Sequence, residues 1–217
     1  MKLFSHKKRS ASSKRWLSRQ LRDGYVAKAK AQGYRSRAAY KLLEIQEKFK
    51  LFCPNMNVVD LGSSPGGWTQ VAVELVKSDA EFARNQVIAI DILQMELVHG
   101  AVILQKDFFE PDAPDIIKSY LKKGADIVIS DMAPNTTGHR QTDHLRIMAL
   151  CEQAIQFGLS VIKPGGHFVT KIFCGGMESE LLGVIKQNFG AVYHFKPKAS
   201  RKESRELYLI AMNRKNS

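Results

Sequence analysis

Short runs of β-branched residues alternate with longer segments of helical periodicity through most of this chain. Five such runs can form strands, over residues 57–61, 86–90, 101–105, 126–130 and 167–172, and two last strands are predicted over residues 191–195 and 206–212. Strands that alternate with helices build parallel sheets, and the helices then cover both faces. The sequence therefore predicts an α/β fold with a mostly parallel, seven-stranded sheet and helices on both faces.

A helix is predicted before the first strand, over residues 37–50. Apolar residues, including Leu42 and Ile45, recur there at intervals of three and four, and Ser36 is a suitable N-cap. Lys41 lies beside this apolar stripe and outside it. The lysine therefore needs a separate explanation.

Three further helices are predicted between the strands, over residues 69–77, 143–162 and 177–188. In the second of these, Leu145 and Ala149 belong to the face that we expect to be buried. The turn that starts at Pro164 is expected to end this helix.

A polar, basic segment over residues 1–35 precedes this pattern, and we interpret it as an arm joined to one domain over residues 36–217. The whole chain has 33 Lys and Arg against 21 Asp and Glu, a formal charge of +12. Such a surplus favours a polyanionic partner such as RNA, with Trp16, Tyr25 and Tyr34 available for stacking on bases. The alternative is that the basic surface only keeps the protein soluble.

Composition also indicates the compartment. Cys53, Cys151 and Cys174 are widely spaced and form no C-x-x-C pair, so neither a disulfide framework nor a zinc ribbon is expected. No apolar run approaches the roughly 20 residues that cross a bilayer, and we expect a soluble, cytoplasmic protein. Residues 1–20 also have the composition of a transit peptide, and this alternative stays open. The six histidines are scattered, so no metal site is predicted.

The first strand leads into a glycine-rich turn. Gly62, Gly66 and Gly67 surround this turn between the strand and the next helix, where a Cβ atom would hinder the approach of a ligand. The spacing differs from the G-x-G-x-x-G dinucleotide motif. A cofactor loop is predicted, with an ordinary tight turn as the alternative.

Acidic residues stand at the ends of the next two strands. Asp91 is placed to accept hydrogen bonds from both hydroxyls of a ribose, and Asp107 is placed to meet an adenine amino group. The alternative for either residue is to cap a helix.

Two later strands carry charges that a core strand does not need. Asp131 follows the strand over residues 126–130, and Lys171 interrupts an apolar run in the strand over residues 167–172. Burying an unpaired lysine is costly, which favours a functional role for Lys171. The alternative is a lysine on an edge strand that points to solvent.

The chain resembles the FtsJ/RrmJ family of ribose 2′-O-methyltransferases. The resemblance rests on residues 8–16, 35–38, 60–68, 130–135 and 204–206 and covers nearly the whole sequence. It implies a Rossmann-like, class I fold that depends on S-adenosyl-L-methionine (AdoMet).

The same resemblance implies particular site residues. A Lys-Asp-Lys-Glu tetrad falls on Lys41, Asp131, Lys171 and Glu206. The cofactor positions fall on Gly66, Trp68, Asp91, Asp107 and Asp131. For Trp68 the alternative is a packing role.

The start of the chain resembles the bacterial rRNA branch of this family. This implies large-subunit (23S) ribosomal RNA or the 50S subunit as partner, a uridine as target, and a monomeric enzyme. A second basic run near the end of the chain could extend the RNA-binding surface: Lys196, Lys198, Arg201, Lys202 and Arg205. The alternatives are a tRNA or mRNA-cap 2′-O-methyltransferase, a non-catalytic ribosome-assembly protein, and a small-molecule O-methyltransferase.

A lysine can act as a general base only if its pKa falls below the ordinary value of about 10.4. Lys41 is the neighbouring cation that could have this effect on Lys171, whereas the acids of the tetrad oppose it. Our hypothesis is that Lys171 acts as the base. The sequence leaves open the alternative that it stabilises a developing alkoxide.

Overall fold

A seven-stranded sheet organises the part of the chain that the computed structural model describes, which is residues 23–81, 83, 85–121, 123–133, 140–173 and 179–216. The strands are β1 (Val58–Leu61), β2 (Val87–Asp91), β3 (Ala101–Gln105), β4 (Ala125–Ser130), β5 (Ile162–Phe173), β6 (Phe189–Phe195) and β7 (Glu206–Arg214). The helices are α1 (Gly24–Ala31), α2 (Ala39–Phe49), α3 (Gly67–Val76), α4 (Ala113–Tyr120), α5 (Arg140–Val161) and α6 (Ser179–Asn188).

The strand order is β3-β2-β1-β4-β5-β7-β6. Strands β1 to β5 pair in parallel, and β7 is antiparallel to both of its neighbours. The predicted mostly parallel sheet is therefore confirmed. Because β7 runs in the opposite direction, its first residue, Glu206, pairs with Phe173 at the carboxyl end of β5. The start of β7 thus lies at the edge where the parallel strands end.

Helices cover both faces of the sheet, as predicted. Successive residues of β4 point to opposite sides, so Val128 joins one core while Ile127 and Ile129 join the other. The core on the Val128 side contains buried residues of α4, α5 and α6, and the other core contains those of α2 and α3. Each fully buried aliphatic side chain contributes about 1.5–3 kcal/mol relative to exposure.

The start of α2 differs from the prediction. The helix begins at Ala39 after Ala38, which caps it without a side-chain hydrogen bond, so the proposed Ser36 N-cap is wrong. Ser36 instead faces α3, where a Cβ atom added to Gly67 would lie 2.3 Å from the Ser36 Oγ. Gly67 is thus needed for close packing between this segment and α3.

The end of α5 also differs from the prediction. The helix stops at Val161, and Pro164 lies inside β5 at a register shift between Ala125 and Ile127 of the neighbouring strand. A bulge tolerates proline because the proline nitrogen is not needed in the ladder. Leu145 is 68% exposed and Ala149 is exposed as well, so the predicted burial of these two residues is wrong.

Helix α1 lies in the segment interpreted as an arm. Asp23 caps it through a hydrogen bond from the Tyr25 amide and forms an ion pair with Arg37 at 2.9 Å. The ring centroids of Tyr25 and Tyr40 are 5.4 Å apart. Part of the segment interpreted as an arm is therefore packed on the domain. Residues 1–22, including Trp16, lie outside the described residues.

Candidate active site

Four charged side chains from four elements meet at the carboxyl edge of the sheet. The Lys171 Nζ lies 3.0 Å from Asp131 Oδ1, and the Lys41 Nζ lies 3.0 Å from Glu206 Oε1. The two pairs are joined because Lys41 Nζ is also 3.8 Å from Asp131 Oδ2. The structure thus brings together all four residues of the predicted tetrad, although Lys41 and Glu206 are 165 positions apart in the chain.

Lys171 is buried in the interior of the sheet. Strand β5 lies between β4 and β7, and the lysine is 7% exposed. Its ammonium group donates to both the backbone carbonyl and the side chain of Asp131. The edge-strand alternative is therefore wrong, and pairing with Asp131 offsets the cost of burying the charge.

Asp131 is held in its ionised form. Burial disfavours its charge, but the charges of Lys171 and Lys41 and a hydrogen bond from Tyr208 outweigh this effect and keep the pKa of Asp131 below its ordinary value. The carboxylate therefore acts as a fixed negative charge between two lysines.

Tyr208 is a member of this network that the sequence analysis missed. Its hydroxyl donates to Asp131 Oδ1 at 2.6 Å and accepts from Lys41 Nζ at 3.1 Å. Burial, reinforced by the neighbouring Asp131 and Glu206 charges, raises the pKa of Tyr208 well above its ordinary value. A possible signal was its spacing of two from Glu206, which puts both side chains on one face of β7.

A cavity of about 660 Å³ opens beside the tetrad, at the carboxyl ends of β1, β2 and β4. Gly62 and Ser64 of the glycine-rich turn line it, together with Asp91, Asp107 and Asp131. Apolar side chains form much of the remaining wall: Ile90, Ile92, Leu93, Phe108, Phe109, Met132, Ala133, Ala149 and Leu150. Predominantly apolar walls with a few polar groups are typical of small-molecule sites.

The two strand-end acids are fixed by backbone amides. Asp91 accepts from the amides of Ser64 at 2.9 Å and Leu93 at 2.8 Å, and Asp107 accepts from that of Phe109 at 2.9 Å. Neither acid is the N-cap of a described helix, since α4 follows Asp112. Their carboxylates are therefore held in position on the cavity wall.

Gly66 and Trp68 are not among the residues that line this cavity. Gly66 has a φ of 109°, and a Cβ atom there would lie 2.9 Å from an Arg35 nitrogen. Trp68 is 3% exposed, donates from its indole to the Ala38 carbonyl, and packs on Tyr208 with ring centroids 5.5 Å apart. These contacts fit the packing alternative, and a direct cofactor contact stays a prediction for both residues.

Asp60, in the middle of β1, is a second group that the sequence analysis missed. The side chain is fully buried, and its Oδ2 accepts from the Thr69 hydroxyl at 2.7 Å. Oδ1 has no hydrogen-bond partner among the described residues. Burial, helped by the negative charges of Asp131 and Asp91, raises the pKa of Asp60 to about 7.

This shift predicts a pH dependence of stability. Between the ordinary pKa of 3.8 and about 7, the folded protein keeps a proton that the unfolded chain has lost, so stability falls as pH rises through this window. Asparagine carries no charge, so Asp60→Asn should not lose stability in this window. The free energy of unfolding of the variant relative to that of the wild type should therefore rise by roughly a few kcal/mol from pH 4 to pH 8. Urea unfolding at both pH values measures this change, and a pH-independent difference between the two proteins would contradict it.

The second basic run is built into the fold. In this loop between β6 and β7, the Ala199 amide donates to the Glu44 carboxylate at 3.0 Å, and Arg201 lies 3.6 Å from Asp23. These contacts attach the loop to α1 and α2. The other basic side chains of the loop are exposed, and the loop leads directly into Glu206.

The stacking role predicted for two tyrosines is not supported. The Tyr25 ring packs against Tyr40, and the Tyr34 hydroxyl donates to Glu74 at 2.8 Å. Tyr34 also packs edge-on against Tyr40, with ring centroids 5.8 Å apart. Both side chains join helices to each other because the segment that carries them is packed on the domain.

Within the described ranges, no cluster of three or more His, Cys, Asp or Glu side chains is arranged to hold a metal ion. Across the same residues, no helix is long and apolar enough to span a membrane.

The strand order, together with a cavity at the carboxyl edge flanked by acids and glycines, defines a Rossmann-like methyltransferase fold. Residues 34–214 match the FtsJ-like methyltransferase family, and the chain belongs to that family. The resemblance stated from the sequence motifs is therefore confirmed.

Two Rickettsia relatives match nearly the full chain. The chain is 57% identical over 215 residues to the Ribosomal RNA large subunit methyltransferase E of Rickettsia bellii (strain RML369-C), covering 99% of this chain and 95% of the relative. The protein of the same name from Rickettsia canadensis (strain McKiel) is 54% identical over the same coverage.

Solved structures agree with the fold. A Plasmodium falciparum protein that carries the name of a ribosomal RNA methyltransferase superposes with a TM-score of 0.68 at 29% identity, covering 85% of this chain and all (100%) of that one. A protein from Streptococcus thermophilus named as a hemolysin has a TM-score of 0.57 at 14% identity, covering 85% of this chain and 68% of its own, and shows the fold alone.

Proposed function

We propose that this protein transfers a methyl group from AdoMet to the 2′-hydroxyl of a ribose, in a uridine of large-subunit 23S rRNA. One observation carries the proposal: Asp131 lines the cavity and also binds Lys171 at 3.0 Å. The Asp131 carboxylate therefore connects the cavity to the buried Lys171.

The cavity suits a nucleoside cofactor. Its volume of about 660 Å³ lies within the range of small-molecule sites. Ile92, Leu93 and Phe109 are 57%, 61% and 43% exposed on its wall, which provides apolar surface for a flat base. In our proposal Asp91 and Asp107 would hold the ribose and the base, Asp131 would face the methionine end, and Gly66 and Trp68 would shape the loop.

AdoMet, when bound, supplies a methyl group on a positively charged sulfur. The chain must then position a ribose hydroxyl and take up its proton, because the hydroxyl is a poor nucleophile while protonated. We assign the acceptor role to the neutral amine form of Lys171, since the ammonium form has no lone pair to take up a proton. Asp131 orients its amine, Lys41 adds a second positive charge beside Asp131, and Glu206 holds Lys41 in place.

The assignment of the RNA rests on charge and on the relatives. The formal charge is +12, and the loop between β6 and β7, which leads into Glu206, carries exposed basic side chains that can contact phosphates. The Rickettsia relatives bear the name of a large-subunit rRNA methyltransferase. We propose rRNA or the 50S subunit as partner, and a monomer acting in the cytoplasm.

The cofactor assignment predicts the effect of Asp91→Ala. Losing a hydrogen-bonding carboxylate costs about 1.5–3 kcal/mol, so the Kd for AdoMet should rise roughly 10- to 100-fold. Isothermal titration calorimetry measures this change. Asp115→Ala is the matched control, since Asp115 is an exposed aspartate on α4 away from the cavity lining. Equal affinity for Asp91→Ala and the wild type would remove Asp91 from the site.

The substrate assignment is tested by incubating the protein and radiolabelled AdoMet with free 23S rRNA, 50S subunits and tRNA. We expect label in the large-subunit RNA, free or assembled. Preferential labelling of tRNA would favour the alternative enzyme class. Binding to rRNA without any labelling would favour an assembly protein.

A further inference from the structure

The hydroxyl of Tyr208 makes both of its hydrogen bonds to the tetrad. The side chain is fully buried, its OH donates to Asp131 Oδ1 at 2.6 Å, and it accepts from Lys41 Nζ at 3.1 Å. The same Asp131 oxygen accepts from Lys171 Nζ at 3.0 Å. Tyr208 and Lys171 therefore share one carboxylate oxygen.

The fold leaves this hydroxyl little freedom. Tyr208 pairs with Lys171 across the β5–β7 ladder, and its ring packs on Trp68 with a centroid distance of 5.5 Å and an interplanar angle of 36°. Trp68 is anchored in turn through its indole bond to the Ala38 carbonyl. The phenol thus stands at a fixed point between two strands and α2.

We infer that Tyr208 is a positioning residue for methyl transfer. Its hydroxyl holds Asp131 next to Lys41, and its hydrogen bond to Asp131 weakens the attraction between that carboxylate and Lys171. This inference rests on the proposed function. The charged groups around Lys171 are Asp131 after β4, Lys41 on α2 and Glu206 on β7. From α5, the Cys151 thiol donates to the Lys171 carbonyl at 3.3 Å.

Removing the hydroxyl changes the balance around Lys171. Asp131 Oδ1 would keep Lys171 as its donor and lose Tyr208, so the carboxylate would attract the ammonium group more strongly. Lys41 would lose one acceptor and gain freedom to move. Asp131 would hold the Lys171 ammonium group more tightly, and proton transfer from the ribose would be less efficient.

Tyr208→Phe tests this inference because it removes only the oxygen atom. We expect kcat on 23S rRNA to fall about 10-fold or more, within the range of general-base effects. The KM values for AdoMet and RNA should stay within about twofold, since the phenol has no assigned substrate contact. The pH of half-maximal kcat should move upward.

Tyr40→Phe is the matched control. Tyr40 is 4% exposed beside Lys41 on α2, but its hydroxyl donates to Gln32, at 2.7 Å, outside the tetrad. It should lose a similar amount of thermal stability and keep the wild-type kcat and pH profile. If both variants lose kcat equally, or if Tyr208→Phe keeps the wild-type kcat and pH profile, the inference is overturned.

The assay separates this inference from the proposed function. If the wild type methylates ribose and Tyr208→Phe has the same kcat and pH profile, the role of Tyr208 is overturned and the proposed function stands. A wild type that places no methyl group on ribose would overturn both.

Discussion

Lys171→Ala is expected to lower kcat by about 10²- to 10⁴-fold, the range that a general base contributes. The side chain is 7% exposed, and its amine is held by Asp131, which lines the cavity. The measurement is single-turnover methyl transfer to 23S rRNA at saturating AdoMet. Affinity for AdoMet should change little, because the cavity lining does not include Lys171.

Lys163→Ala is the control on the same strand. Lys163 also pairs with an aspartate, Asp126 at 2.8 Å, but at the opposite end of β5. Its removal should leave kcat unchanged. A Lys171→Ala variant with near-normal turnover would contradict the assignment of Lys171 as base.

Lys171→Arg separates the two roles that the sequence left open. Arginine keeps a positive charge but does not lose its proton in proteins. If Lys171 accepts the ribose proton, the arginine variant should be about as inactive as the alanine variant. Substantial activity in Lys171→Arg would instead favour stabilisation of a developing alkoxide.

Asp131→Asn is expected to impair both stability and activity. It leaves Lys41 and Lys171 buried without the charge between them, and breaking a buried pair costs about 3–5 kcal/mol. Because the pKa of Asp131 is lowered in the folded state, this stabilisation is present above the ordinary pKa and is lost as pH falls through the folded value. The loss of stability in Asp131→Asn relative to the wild type should therefore be largest at pH 7 and become smaller in acid.

Chemical denaturation of Asp131→Asn and wild type from pH 7 downward measures this effect. Asp126→Asn is the control, since its pair with Lys163 is more exposed and the asparagine keeps an oxygen that can accept from the Asn57 amide, so its loss should be only about 1 kcal/mol. Equal losses for the two variants, or a loss at Asp131 that does not shrink in acid, would mean that Asp131 is not the central charge of the network.

The sequence predicted the layout of the sheet because each strand carries its own local signal. Runs of β-branched residues marked the first five strands, and glycines marked the turn after β1. Helix boundaries were less predictable. Ser36 is a residue type that often caps helices, but in the fold it packs against Gly67. Leu145 looks like a core residue by periodicity, yet it is 68% exposed.

The candidate site was predictable only in part. Lys171 stood out as a charge in an apolar strand, but its pairing with Asp131 depends on the adjacency of β4 and β5. Tyr208 was missed, because a tyrosine in a strand is ordinary and its partners, Lys41 and Asp131, are 167 and 77 positions away. Asp60 belongs to the motif over residues 60–68. Its raised pKa was not predictable from this motif, because it arises from complete burial in the fold.

The position of the transferred methyl group tests the central proposal most directly. Labelled 23S rRNA from the wild-type reaction is digested to nucleosides, and the methylated product is identified by chromatography and mass spectrometry. The account predicts a methyl group on the ribose 2′-oxygen of a uridine, absent from the Lys171→Ala reaction. A methyl group on a base would contradict it.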